Sequence, residues 1–223
     1  MMENILEIRD ITVVYGKDRL KKKAVDRLSF SINYGEIYGF LGPNGAGKTT
    51  TIKTMLGLLL PTEGQVSLFQ KPPSLLSTRK RIGYMPEIAN YYWYLTPREI
   101  LFFYGSLFNI KTSILQNRTE ELLELVDLKD YGNRLLGTFS KGMLQKVSFA
   151  QSLINDPELL VLDEPTTGLD PIAKMDMRDT LLRLKKKGKT IFFSSHELSE
   201  VEIISDRVAI LKNGKILKEA HPK

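Results

Sequence analysis

The chain has 223 residues, 42% of them hydrophobic, with a formal net charge of +6 and no cysteine. That length and apolar content fit one large globular domain, or one domain with an inserted subdomain, able to bury a sizeable core. They exclude a disulfide framework, a thiolate metal or redox site, and a membrane-spanning helix, because no apolar run approaches the ~20 residues a span needs.

The opening MMENILEIRD lacks a signal-peptide pattern, so the chain is expected to be soluble by itself and intracellular. Much of the positive charge lies in two runs, RLKKKAV at 19–25 and RLKKKGK at 183–189. No aromatic residues interleave with these lysines. Both runs therefore read as solvated turns or helix ends rather than as surfaces for nucleic acid or acidic lipid.

Residues 5–41 alternate as strands do: ILEIRDITVVY, LSFSIN and EIYGFLG are separated by polar or glycine-containing turns. Three short strands thus precede the first long helix. That helix is predicted over 49–60, with Ile52, Met55, Leu56 and Leu59 on one face and Pro61 and Glu63-Gly64 as its stop. QVSLF and RIGYM follow as two more strands.

Between residues 86 and 139 the pattern turns helical. PREILFFYGSLF is opened by Thr96-Pro97, and NRTEELLELVDL carries Leu122, Leu125 and Val126 on one face. This segment reads as an inserted helical subdomain. After it come the apolar run LLVLD, the helix IAKMDMRDTLLRLKKKG, the strand TIFFSS, the short helix ELSEVEIIS and a closing pair, RVAILKNGKILKE. Its Asn213-Gly214 step is a hairpin signal, since both residues accept positive φ. Strands alternating with helices, several of them apolar on both faces, predict an α/β protein with a mainly parallel sheet covered by helices.

Residues 42–49, Gly42, Pro43, Asn44, Gly45, Ala46, Gly47, Lys48 and Thr49, match the G-x-x-x-x-G-K-[ST] P-loop in full. The strand IYGFL precedes it and the helix TTTIKTML follows it, as the motif requires. Glycines at that spacing let successive N–H groups point inward, and the helix N-terminus adds partial positive charge against phosphate. Lys48 would reach the β and γ phosphates of ATP, Thr49 would ligate Mg²⁺, and Thr50 continues the loop into the helix. Asp163 ends the run LLVLD, at the C-terminal edge of a buried strand where ligands of open α/β sheets bind. Asp163 then holds Mg²⁺ through its water shell, and Glu164 orients and polarises the attacking water.

With the P-loop, LDEP and their order in place, nearly the whole chain resembles the nucleotide-binding subunit of an ATP-binding cassette (ABC) transporter. The resemblance implies a P-loop NTPase core over 1–87 and 151–223, with an N-terminal antiparallel β subdomain, and a helical subdomain over 88–150. It implies that TFSKGMLQKV (138–147) is the signature loop, usually Leu-Ser-Gly-Gly-Gln, whose serine and amides bind the γ-phosphate of ATP held by a partner cassette. Ser140 and Gly142 are kept; Phe139, Lys141 and Met143 depart. Read on its own, the same stretch is a helix start with Ser140 as N-cap.

By the same resemblance Tyr15 stacks on adenine, although it also reads as an ordinary strand-end aromatic. Glu87 holds the Q-loop place usually taken by glutamine, where it either coordinates Mg²⁺ or raises its own pKa. TTGLD (166–170) is similar to the D-loop, and His196 is similar to the switch histidine at the γ-phosphate. The aromatic run YYWY (91–94) lies where the family docks a membrane subunit, or forms a satellite hydrophobic cluster. SKGM together with PE resembles exporter cassettes for drugs, antibiotics and bacteriocins, many of which continue beyond a C-terminus such as EAHPK.

The resemblance thus implies an ATPase that dimerises around ATP, peripheral on the inner face of the membrane, driving separate permease subunits with no nucleic-acid partner. The alternative is a soluble cassette acting on nucleic acid or ribosomes.

Overall fold

The computed structural model describes residues 3–16 and 21–222, so Arg19 and Leu20 of the first basic run lie outside it. Strands β1 (Asn4–Tyr15), β2 (Lys22–Asn33) and β3 (Ile37–Leu41) lead to α1 (Lys48–Met55), β4 (Glu63–Leu68) and the short α2 (Leu76–Arg79). Then come β5 (Ile82–Met85), α3 (Pro97–Leu107), α4 (Thr112–Leu125), α5 (Lys141–Ser152) and β6 (Leu159–Asp163). The chain closes with α6 (Pro171–Lys186), β7 (Thr190–Ser195), α7 (Leu198–Ile204), β8 (Arg207–Lys212) and β9 (Lys215–Ala220). It divides into two compact units: Met1–Arg79 with Leu181–Lys223, and Lys80–Thr180.

In the first unit β1 is central to an antiparallel sheet of order β2-β1-β4. Beside it β3 pairs in parallel with β7 and β8, and β9 turns back antiparallel on β8. Every residue of β3 and β7 is buried, as expected for parallel strands covered on both faces. Phe30 of β2 stacks on Tyr38 and Phe40 of β3 and on Phe192 of β7, at centroid separations of 5.3, 5.6 and 6.2 Å. These rings join the antiparallel sheet to the parallel strands through a continuous apolar layer.

One polar group breaks that layer. The buried Tyr38 hydroxyl donates to Glu219 of β9, and Arg207 lies over the Tyr38 ring at 5.1 Å while bonding Glu36 and Glu219. Burial and the adjoining Glu219 carboxylate push the Tyr38 phenol far above its ordinary pKa, keeping it a donor.

The first helix stops sooner than its leucines suggest. Gly57 adopts φ 67°, and the N–H groups of Gly57 and Leu58 return to the Thr54 and Lys53 carbonyls, closing α1 after Met55 instead of at Leu60. Leu58 and Leu60 are left exposed beyond that turn. The Asn213-Gly214 signal, by contrast, gives the expected hairpin, with φ of 51° and 75°.

In the second unit β5 and β6 pair in parallel, and α3, α4 and α5 form its helical part. Thr96 and Glu99 cap α3 reciprocally, with Pro97 in its first turn. Helix α4 starts at Thr112, ahead of the predicted NRTEELL segment. Gly83 of β5 faces the end of α5 so closely that a Cβ there would lie 1.9 Å from the Ser152 carbonyl oxygen and 2.8 Å from Pro157 Cγ. Because the nearest obstacle is backbone, Gly83→Ala should destabilise the protein by about 3 kcal/mol. A urea unfolding curve checks this; an unchanged midpoint would show that β5 and α5 are not rigidly packed.

Candidate nucleotide site

Strand β3 delivers the chain to Gly42, whose N–H donates to the Ser195 carbonyl at the end of β7 at 3.1 Å. A Cβ at Gly42 would lie 2.6 Å from the Leu211 carbonyl oxygen of β8, so only glycine lets the loop leave between these strands. The loop curls through an Ala46 N–H bond to the Pro43 carbonyl, with Gly45 and Gly47 at φ 79° and 109°. Gly47 is the N-cap of α1, with no side-chain cap and no acid in the first turn. Backbone amides and helix dipole together make an anion-binding concavity. Lys48 is 6% exposed, and its Nζ donates to the Gly42 carbonyl at 2.6 Å and the Pro43 carbonyl at 3.4 Å. A cation is thereby held on the curl itself.

Thr49 and Thr50 are half-buried in the first turn of α1. Tyr15, at the end of β1, places its hydroxyl 3.4 Å from Thr50 Oγ1 while the residue stays 43% exposed. An aromatic platform therefore stands beside the loop in the same unit. His196 follows Ser195 directly and is exposed, with Nε2 4.0 Å from Glu197 Oε1. The first unit thus brings together Tyr15, the whole 42–50 loop and His196.

The second unit carries the acidic groups. Asp163, 1% exposed, ends β6. Burial, and then the Asp163 charge, raise the neighbouring Tyr84 phenol to about 12. Glu164, also buried, takes φ 53°, a left-handed backbone that costs a non-glycine residue roughly 1–2 kcal/mol. Gln145 of α5 offsets that strain: its Nε2 donates to the carbonyls of Glu164 at 3.1 Å and Pro165 at 3.3 Å. Thr167 donates to Glu164 Oε2 at 3.4 Å. Asp170 then caps α6, its Oδ1 accepting from the Ala173 N–H at 2.9 Å.

Ser140 is indeed the N-cap of α5, accepting from the Met143 N–H at 3.2 Å. Ser140, Lys141, Gly142 and Met143 face residues 168–170 across a cleft of about 490 Å³. Glu87 is exposed just after β5. In the aromatic run Tyr91 turns inward, donating to Gln151 Oε1 at 3.2 Å, while Tyr92, Trp93 and Tyr94 face outward. Among the described residues no group of three or more His, Asp or Glu forms a metal cage. Gln145 went unrecognised in the sequence; its signal is a lone amide within the buried, otherwise largely apolar face of α5.

Residues 25–167 match the family model described as ABC transporter. The chain is 44% identical over 219 residues to an ABC transporter ATP-binding protein of Synechocystis sp., a match covering 96% of this chain and 62% of that one. It is 43% identical over 223 residues to a bacitracin transport ATP-binding protein of Bacillus licheniformis, covering 98% and 70%. A solved ATP-binding subunit of an ABC transporter shares the fold with a TM-score of 0.87 at 30% identity, over 97% of this chain and 90% of that one. The chain therefore belongs to the ATP-binding cassette family of ABC transporters. It spans 62% of the length of the Synechocystis relative.

Gln145→Leu keeps the volume but removes the side-chain donor from two buried carbonyls, leaving that of Glu164 with the Thr167 N–H alone. It should lower stability by roughly 1–3 kcal/mol, read from thermal unfolding; an unchanged midpoint would show that the Glu164 turn holds without Gln145.

Proposed function

We propose that this chain is the ATP-binding and ATP-hydrolysing subunit of an ABC exporter, pairing with a second cassette and with separate membrane permeases. The carrying observation is the phosphate cradle: glycines at φ 79° and 109°, a helix N-terminus without a side-chain cap, and Lys48 folded onto the curl. In this reading residues 42–50 bind the phosphates and Tyr15 stacks on adenine. Thr49, Asp163 and Glu87 are the candidate Mg²⁺ ligands, and bound Mg²⁺ neutralises developing phosphate charge. Glu164 polarises the attacking water, His196 contacts the γ-phosphate, and Lys48 stabilises the transition state.

Ser140 and Gly142, at the mouth of the cleft facing residues 168–170, are the surface offered to the nucleotide of the second cassette. The outward aromatics 92–94 support docking on a membrane subunit. No helix of the described residues is long and apolar enough to cross a membrane. Both named relatives carry transport descriptions, which favours transport over action on nucleic acid or ribosomes.

Lys48→Ala should abolish binding of a fluorescent ATP analogue, and undiminished affinity would overturn the phosphate assignment. Glu164→Gln should retain that binding while lowering turnover on the order of 100- to 10,000-fold, as loss of general-base help does. Near wild-type turnover in Glu164→Gln would remove it from this role. For Glu87, replacement by alanine should weaken Mg²⁺-dependent turnover; unchanged ATPase in both Glu87→Gln and Glu87→Ala would leave it outside the site.

A further inference from the structure

A loop that aims its N–H groups at phosphate must place its carbonyls elsewhere, and a buried carbonyl needs a donor. Ala46, in the middle of the phosphate loop, is 3% exposed. Its carbonyl accepts from the N–H of Gly214, in the turn between β8 and β9, at 2.9 Å. The Gly214 carbonyl in turn accepts from the Asp26 N–H of β2, also at 2.9 Å. Asp26 ties the turn a second time, since its Oδ2 pairs with Lys215 at 3.0 Å and its Oδ1 with Lys23 at 2.9 Å. Those two lysines hold the Asp26 carboxyl below the usual carboxylate range, so the clamp stays charged at neutral pH.

Three stretches of backbone meet here without intervening side chains. A Cβ on Gly47 would lie 2.5 Å from the Ala24 carbonyl oxygen, and one on Gly214 would lie 2.7 Å from that same oxygen and 3.0 Å from Val25 Cα. Gly214 also needs its φ of 75°.

We infer that Gly214 and Asp26 are positioning residues for the phosphate-binding loop: the hairpin turn, clamped by β2, fixes the Ala46 carbonyl and so the direction of the neighbouring amides. Neither residue belongs to the 42–50 loop, and the inference rests on that loop being the nucleotide site. It also makes the closing hairpin, and any chain movement that pulls on it, a lever on nucleotide affinity.

The test titrates the full chain with a fluorescent ATP analogue and Mg²⁺, and follows ATPase kinetics alongside thermal unfolding. Gly214→Ala should raise Kd and KM about tenfold, with kcat within about threefold, since ångström-scale misplacement of binding groups costs up to ~100-fold. Gly188→Ala is the control: it carries the same kind of strain, at φ 84°, with nothing within 4 Å of the added Cβ. It should unfold earlier yet keep its Kd.

If Gly214→Ala does not fold, Asp26→Ala decides. Removing a negative charge near a triphosphate would by electrostatics alone tighten binding, whereas loss of the clamp weakens it. Tighter or unchanged Kd in Asp26→Ala, wild-type Kd in Gly214→Ala, or an equal rise in Gly188→Ala overturns the inference. Failure of the wild type to bind, or wild-type affinity in Lys48→Ala, instead overturns the nucleotide reading beneath it.

Discussion

Backbone amides turned toward one point leave the other side of the loop exposed to its neighbours, where carbonyls need donors and glycine Cα atoms are crowded. The glycine-rich loop at 42–47 meets that requirement within one unit. Gly42 is received between Ser195 and Leu211, and Ala46 is received by Gly214. Much of the first unit follows from this demand. β3 must be buried and straight to deliver the loop, β7 must end at Ser195, and the β8–β9 turn must bring an N–H to Ala46. The stacked rings of Phe30, Tyr38, Phe40 and Phe192 hold the strands that carry these groups. Apolar packing thereby sets the geometry of a polar site that contains few side chains.

The second unit solves a different problem, that of keeping two adjacent carboxylates buried. Asp163 and Glu164 are both nearly inaccessible, and two like charges so close would repel in a low dielectric. Glu164 adopts a left-handed backbone there, and Gln145 and Thr167 stabilise that turn through the main chain and Oε2. Strain of this size persists where surrounding bonds over-determine it, and such places concentrate at reacting centres. Gln145 links this geometry to the same helix whose N-cap is Ser140. Any displacement of α5 is therefore felt both at its Ser140 N-cap and at the Glu164 backbone.

The motifs that depend on local spacing were legible in the sequence: the glycine-rich turn at 42–47, the carboxylates ending an apolar strand, the Thr96-Pro97 helix start and the Asn213-Gly214 hairpin. Each is a short-range device whose physics is complete within a few residues. The end of α1 was misread because a leucine run continues the helical spacing past Gly57, and the positive φ that stops the helix is a backbone event with weak sequence signal. Glycines 83 and 214 read as ordinary strand and turn residues until the distant backbone they face is known. Gln145, Asp26 and Glu219 were likewise invisible, since their partners lie far away in the chain and no periodicity reports a tertiary hydrogen bond.

The lysine at the start of α5 also has a physical partner. Lys141 stands where the resembled motif has glycine, and its side chain lies along Gly168: a Cβ at Gly168 would meet Lys141 Cδ at 3.0 Å and Cε at 3.1 Å. A lysine stem can cover backbone in this way while its ammonium stays in water. Gly168, at φ 82°, therefore serves two ends, the turn itself and the bed for the stem. The substitution at 141 and the glycine at 168 form one packing solution. It places a lysine on the wall of the cleft between residues 140–143 and 168–170, with the flexibility of its stem already spent against the neighbouring loop.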